Sequence, residues 1–393
     1  MGDSRMKICM IGLEIGASQE GVFIGGAVNS VIRLSQGLSE RHHHTSIVTT
    51  HPRLHDSNIN VPWADVYQIP IRGAYRSIGY GFDFAIKAPL RIKKLHKKEE
   101  FQVIHGHSGY PAVGLISGTA GRLINRPSIH TLYCPVDSNV RLAKLYLSQV
   151  DMIIAISENI KKSLEKIKIS AQKIKVIPPA INTAVFNPLT SGKELRENLK
   201  IDKDDNVILF VGNLTKTKGI DILLEAMKDV IHRFPEVKLL ITSELPHKDY
   251  EKREHEIKFK IEHFDLKTNI VRFGIIKNMA ELMAASNILV APFLDTDGPS
   301  DYPLPVLEAM GVGKAVIASN VGGIPEIVSN MENGILIEPM DVNSLSNAMM
   351  TLLEDDKLRH ELGKNASTFV LNNFSIEKIT KKMEVVYEEV RRR

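Results

Sequence analysis

The residues from Asp295 to Ile327 read DTDGPSDYPLPVLEAMGVGKAVIASNVGGIPEI, and within them Leu304 to Met310 opens a helix directly after a turn. The first backbone N–H groups of such a helix and the positive end of its dipole face an anion of diphosphate type. Pro303, just ahead, has no N–H to offer, so one donor is lost there. Glu308, one turn in, supplies a carboxylate that can accept hydrogen bonds from both hydroxyls of a diol. A second anion-binding loop is expected at Phe210 to Gly219, FVGNLTKTKG, which follows a strand pattern and precedes a helical one. Gly212, Asn213, Lys216 and Lys218 lie on it, and glycine-rich turns of this kind cradle phosphate. Gly322 and Gly323 fit either close backbone approach to a ligand or a plain strand-to-helix turn.

The pairing of L-E-A-M (Leu307 to Met310) with the later V-G-G-I-P-E (Val321 to Glu326) resembles the signature of glycosyltransferase family 4, and the resemblance extends over nearly the whole chain. It implies a GT-B fold, in which two Rossmann-like doubly wound domains face a cleft that holds a nucleotide sugar. It also implies a retaining transfer, with the acceptor hydroxyl attacking from the face the leaving phosphate departs, and that phosphate taking the proton. Glu308 is similar to the second glutamate of the family's paired motif, which contacts the donor ribose. At the first glutamate, eight positions earlier, this chain has Ser300, so either Asp301 or Asp297 stands in or the sugar specificity differs. The family's Gly-Phe-Gly is replaced by Asp301-Tyr302-Pro303, leading into Leu304 and Pro305.

In the G-R-L-x-x-x-K-G element, Lys218 and Gly219 match, Asn213 replaces the arginine, and Lys216 is the substitute cation on the same loop. Gly274, Ile275 and Ile276 sit where the family's backbone meets the nucleobase. In the first half, Gly25 and Gly26 resemble the flexible Gly-Gly loop that approaches the diphosphate. His130, read as ending a strand in PSIHT, resembles the histidine beside the anomeric carbon. His105 and His107 are assigned to packing or polarity. The catalytic set is therefore expected to be His130, Lys218 and Asp301. The implied co-substrate is a UDP- or GDP-sugar, with no permanently bound cofactor.

The elements that position these residues follow from periodicity. Short β-rich runs at 7–11, 45–49, 102–105, 152–156 and 175–177 alternate with helical patterns, which implies a mostly parallel sheet with ligands at the carboxyl ends of its strands. The alternation pauses near Pro178-Pro179, and turn residues from Asn182 to Gly192 read as a linker. It resumes at 206–211, 237–242, 269–273, 287–292, 314–318 and 334–337. The expected organisation is a first, acceptor-binding domain over 1–185, a second, nucleotide-sugar-binding domain over 186–373, and a helix over 374–393 returning to the first domain. Ile376, Ile379, Met383, Val386 and Tyr387 give that helix one apolar side.

Composition narrows the class further. The 393 residues exceed one typical core, since domains average roughly 150 residues. A net charge of +4 is too small for a nucleic-acid binder. Cys9 and Cys134 lack ligand or disulfide spacing, which points to a reducing cytoplasm. His42-His43-His44 are adjacent and diverge in direction, so no protein-bound metal is expected. The run 87–98, KAPLRIKKLHKK, interleaves Lys87, Arg91, Lys93, Lys94, Lys97 and Lys98 with Leu90, Ile92 and Leu95. It is either a solvated helix or a peripheral contact with the anionic inner face of a membrane, close to an acceptor that is lipid-linked, a polyol or a glycan. The sequence admits two rival functions. A dinucleotide oxidoreductase is disfavoured because Gly12 and Gly16 do not form G-x-G-x-x-G. A nucleotide-sugar-binding regulator without catalysis is motivated by Ser300, Pro303 and Asn213.

Overall fold

A computed structural model describes residues 5–12, 25–50, 61–71, 78–243, 251–274, 276–296 and 300–393. The chain divides into two compact units, Met1–Ala180 with Ile376–Arg393, and Ile181–Ser375.

The first unit is built on seven strands: β1 (Lys7–Gly12), β2 (His44–Thr50), β3 (Asp65–Ile69), β4 (Val103–Ser108), β5 (Ser128–Leu132), β6 (Met152–Ala155) and β7 (Ile174–Val176). They are joined by helices α1 (Gly26–Glu40), α2 (Ile78–Glu99), α3 (Ala112–Ile124), α4 (Val140–Leu147) and α5 (Glu158–Lys166). The strand order is β3-β2-β1-β4-β5-β6-β7, and every pairing is parallel. Helices cover both faces of such a sheet, so its central strands are apolar throughout; Ile8, Cys9, Met10 and Ile11 of β1 are all buried. The sequence pattern passed over β3 because Asp65, Val66, Tyr67 and Gln68 of this edge strand stay partly exposed and lack a continuous apolar run.

The second unit contains α6 (Lys193–Asn198), β8 (Val207–Val211), α7 (Ile220–Arg233), β9 (Lys238–Thr242), α8 (Glu251–His263), β10 (Ile270–Phe273), α9 (Met279–Ala285) and β11 (Ile288–Ala291). It continues through α10 (Leu304–Gly311), β12 (Ala315–Ser319), β13 (Ile335–Ile337), α11 (Val342–Glu354) and α12 (Asp356–Asn373). Its sheet is also parallel, in the order β10-β9-β8-β11-β12-β13. Caps fix several helix starts: Ser157 accepts from Ile160 N–H, Asp341 from Ser344 and Asp355 from Leu358.

The last helix, α13 (Ile376–Arg392), belongs to the first unit, whose core takes in Ile376, Ile379, Met383, Val386, Tyr387 and Val390. Each sheet has one point where the winding reverses, between β1 and β4 in the first unit and between β8 and β11 in the second. Crevices at the carboxyl ends of the strands flanking such a reversal are where doubly wound sheets bind ligands.

Candidate functional site

In the second unit the expected phosphate loop lies at the reversal. After β8 the chain turns through Gly212, and a 3-10 turn covers Lys216–Lys218. Gly219 then starts α7 with φ +71, and a Cβ there would lie 1.7 Å from the Pro292 carbonyl oxygen. Only glycine permits that approach. Leu294 N–H donates to Thr217 O at 2.9 Å, so the loops after β8 and β11 are joined. Lys218 Nζ stands 4.2 Å above the Phe293 ring, while Lys216 is exposed. Asn213 is spent on its own turn, with Oδ1 accepting from Thr215 Oγ1 at 2.7 Å. Beyond β10, Gly274 O accepts from Thr242 Oγ1. Ile275 lies outside the described residues.

The loop into α10 differs from the expectation drawn from sequence. Asp301 is fully buried, and its Oδ1 accepts from Thr296 Oγ1 at 2.8 Å and from Gly323 N–H at 2.9 Å. Gly322 has φ +55, and a Cβ on it would meet Thr296 Oγ1 at 2.1 Å; one on Gly323 would meet Asp301 Oδ2 at 2.6 Å. Asp301 therefore ties the loops after β11 and β12 together. Asp297 is outside the described residues, and Ser300 is half-buried. Tyr302 is committed to packing, its hydroxyl donating to Glu326 Oε2 at 2.7 Å and its ring set edgewise to Phe374.

The first turn of α10 is also poorer in donors than expected. Pro303 and Pro305 carry no N–H, and Val306 N–H goes to Pro303 O at 3.0 Å, which leaves Leu304 N–H. Glu308 is buried at 7% exposure, so its carboxylate is held in place instead of ranging through solvent.

In the first unit, Gly25 has φ +99 and its carbonyl accepts both Asn29 N–H at 3.0 Å and Asn29 Nδ2 at 3.1 Å, which fixes the start of α1 at Gly26. His130 is placed differently from the reading as a strand end. Its strand runs on to Leu132, and the imidazole is fully enclosed under α3, beside Gly106 and Gly114. A Cβ on Gly106 would come within 3.0 Å of His130 Nδ1. No part of the residue is exposed in this structure.

His105 and His107, on β4, are buried with it. Their ring centroids are 3.9 Å apart. His105 bonds Tyr387 OH and Thr131 Oγ1, each at 2.8 Å, and His107 Nδ1 meets Tyr133 OH at 3.1 Å. His107 Nε2 and both nitrogens of His130 find no hydrogen-bond partner among the described residues. Burial pushes His130 down to about 3, and burial with the neighbouring His130 pushes His107 to about 3. Both rings are therefore neutral at physiological pH, and burial lowers His105 as well.

Family models match most of the chain: one described as glycosyltransferase family 4 over residues 24–185, and one described as glycosyl transferases group 1 over 191–369. The N-acetyl-alpha-D-glucosaminyl L-malate synthase of Bacillus anthracis is 22% identical over 94% of this chain and 95% of its own. A UDP-Gal:alpha-D-GlcNAc-diphosphoundecaprenol alpha-1,3-galactosyltransferase of Escherichia coli is 26% identical over 77% of this chain and 79% of its own. The crystal structure of Anabaena HepE in complex with UDP superposes with a TM-score of 0.81 at 18% identity, covering 98% of this chain and 100% of that one.

Proposed function

The chain belongs to the group 1, family 4 glycosyltransferases and has their two-domain GT-B fold, and from that premise we propose that it moves a sugar, with retained anomeric configuration, from a nucleoside diphosphate sugar to a hydroxyl acceptor. One observation carries this reading: the loops after β8 and β11, bearing Lys218 and the approach to Glu308, are bonded to each other at the winding reversal of the second sheet. There Lys216 and Lys218 neutralise the charge that builds on the departing diphosphate, and Glu308 accepts the ribose hydroxyls. The phosphate oxygen takes the acceptor proton, so no protein base is required. His130 and Asp301 are assigned positioning roles, since both are enclosed.

The acceptor is taken to be lipid-linked. On α2, Phe82, Ile86 and Leu90 are 66%, 62% and 58% exposed at four-residue spacing, and exposed Lys93, Lys94 and Lys97 continue the same face. A helix face of this kind rests on an anionic lipid surface. Among the described residues no helix is long and apolar enough to cross a membrane.

The test is a thermal-shift panel of UDP, GDP, ADP and their sugars with the wild type and Glu308→Ala. One nucleotide series raises the melting temperature of the wild type and does so less in the variant, because a ligand that binds the native state stabilises it. No shift with any of them at millimolar concentration overturns the donor assignment.

A further inference from the structure

We propose that His44, Asp65 and Glu99 form a binding site for a zinc-class divalent transition-metal ion, which pins the edge of the first sheet to the end of α2. The three residues begin β2, begin β3 and end α2. His44 Nε2 is 3.2 Å from an Asp65 carboxylate oxygen and 3.7 Å from Glu99 Oε2, and the three ligand atoms all lie within 4.8 Å of one another. Metal bonds of about 2.0–2.1 Å in a tetrahedron set neighbouring ligand atoms about 3.3 Å apart, so an ion fits with small side-chain adjustments.

The glutamate is already oriented for the task. Glu99 is nine-tenths buried, and its Oε1 is occupied by Tyr67 OH at 3.1 Å and Lys98 Nζ at 3.2 Å. That leaves Oε2 turned toward the imidazole, the kind of outer support metal ligands need. The His44 backbone N–H donates to Met6 O at 2.8 Å, which fixes the start of β2. His44 and Asp65 are 44% and 57% exposed at the side chain, which leaves a fourth position open to water. One imidazole and two carboxylates suit zinc better than calcium or magnesium, which take mostly oxygen and more of it.

The neighbouring histidines do not take part. His43 accepts Met6 N–H at Nδ1 and directs Nε2 to Glu384 at 2.7 Å, and His42 occupies a left-handed turn at φ +66. The plain alternative is an ion pair of His44 with the two carboxylates, with Lys98 as the nearby cation.

The experiment titrates the full-length, untagged, chelator-stripped protein with Co2+ at pH 7.5, reading the visible d–d absorption of bound cobalt, and follows the melting temperature with Zn2+. The expected result is one ion per chain in the wild type and in His42→Ala. Binding should be about tenfold or more weaker in His44→Ala and Asp65→Asn, with the Zn2+ shift lost in both. Both substitutions are at exposed positions, and unchanged metal-free melting shows that the variants fold. Absent cobalt absorption in the wild type, or equal binding by wild type and His44→Ala, or equal weakening in His42→Ala, overturns the proposal.

Discussion

Asp301 ties two loops of the second unit together, and His105, His107 and His130 are buried together in the first. Replacing Asp301 by Ala leaves Thr296 Oγ1 and Gly323 N–H without their buried acceptor, which costs roughly 1–3 kcal/mol for each orphaned group. Asp301→Asn keeps an acceptor oxygen and should retain most of that stability. Urea unfolding of the two variants checks this: equal midpoints would mean that Asp301 is no tie, and a KM rise in Asp301→Ala without loss of stability would return it to direct sugar contact. His107 and His130 give a pH prediction. Their folded pKa values lie near 3, below the unfolded value of roughly 6.5, so the unfolded chain binds protons that the folded one refuses. Stability should be level above pH 6.5 and fall by roughly 1 kcal/mol per pH unit per histidine as pH drops toward 3; a urea midpoint unchanged between pH 7 and 5 refutes their neutral burial. Residue-scale legibility follows the distance to the partner. Gly219 and Lys218 were legible because a turn and a helix start are local patterns. Asp301 was read as a substrate contact because its partner Gly323 lies 22 residues on, and nothing in the spacing announces that bond. His44 is set aside in the sequence because three adjacent histidines diverge in direction, and its neighbours Asp65 and Glu99 lie on another strand and a helix.

At the scale of elements, α2 carries both a legible and an illegible part. Its basic run was plain in the sequence, but its outward face was not. Lys87 is drawn to Asp83 at 2.7 Å and to Pro70 O, Arg91 lies over the Tyr67 ring, and Lys98 pairs with Glu99. What remains on the exposed face is Phe82, Ile86 and Leu90 followed by Lys93, Lys94 and Lys97. Vesicle co-sedimentation should therefore show binding to anionic vesicles that weakens with salt. At about 1 kcal/mol per basic residue near the surface, removing those three lysines should cost roughly a hundredfold in partitioning. Replacing Phe82, Ile86 and Leu90 by Ser should weaken binding without restoring it at low salt, because the apolar contribution is not screened. Equal binding to neutral and anionic vesicles, or none, removes α2 as a membrane contact. The strands were legible wherever both faces are buried, as in β1 and β12, since a parallel strand under two helical layers reads as an unbroken apolar run. The edge strand β3 has one partly solvated side, and Asp65, Tyr67 and Gln68 erase that signal.

For the molecule as a whole, the chain order and the folding units do not coincide, and this sets the last prediction. The final helix follows the second unit in sequence yet completes the core of the first. Its Ile376, Ile379, Met383, Val386, Tyr387 and Val390 are buried there, and at roughly 1.5–3 kcal/mol per large apolar side chain their sum is on the order of 10 kcal/mol. That is comparable with the whole stability of an ordinary domain, about 5–15 kcal/mol. Polar ties add to it: Tyr387 OH meets His105, and Glu384 receives Arg41 at 2.6 Å and His43 at 2.7 Å. Ending the chain after Ser375 should abolish the cooperative melting of the first unit while the second, with its own core around Phe210, Leu239 and Ile317, keeps its transition in calorimetry. A gentler variant tests the same contact without removing the helix. Gly37 in α1 lies so close to α13 that a Cβ would meet Thr380 Oγ1 at 2.1 Å and Ile376 Cγ2 at 2.6 Å. Helix propensity alone would make Gly37→Ala stabilising by up to about 1 kcal/mol, whereas overpacking of a buried contact costs about 1–3 kcal/mol. The clash should win, lowering the melting temperature of the first unit and leaving that of the second unchanged. A stabilised Gly37→Ala protein, or a truncated chain that still melts in two transitions, would show that α13 contributes little to the first core.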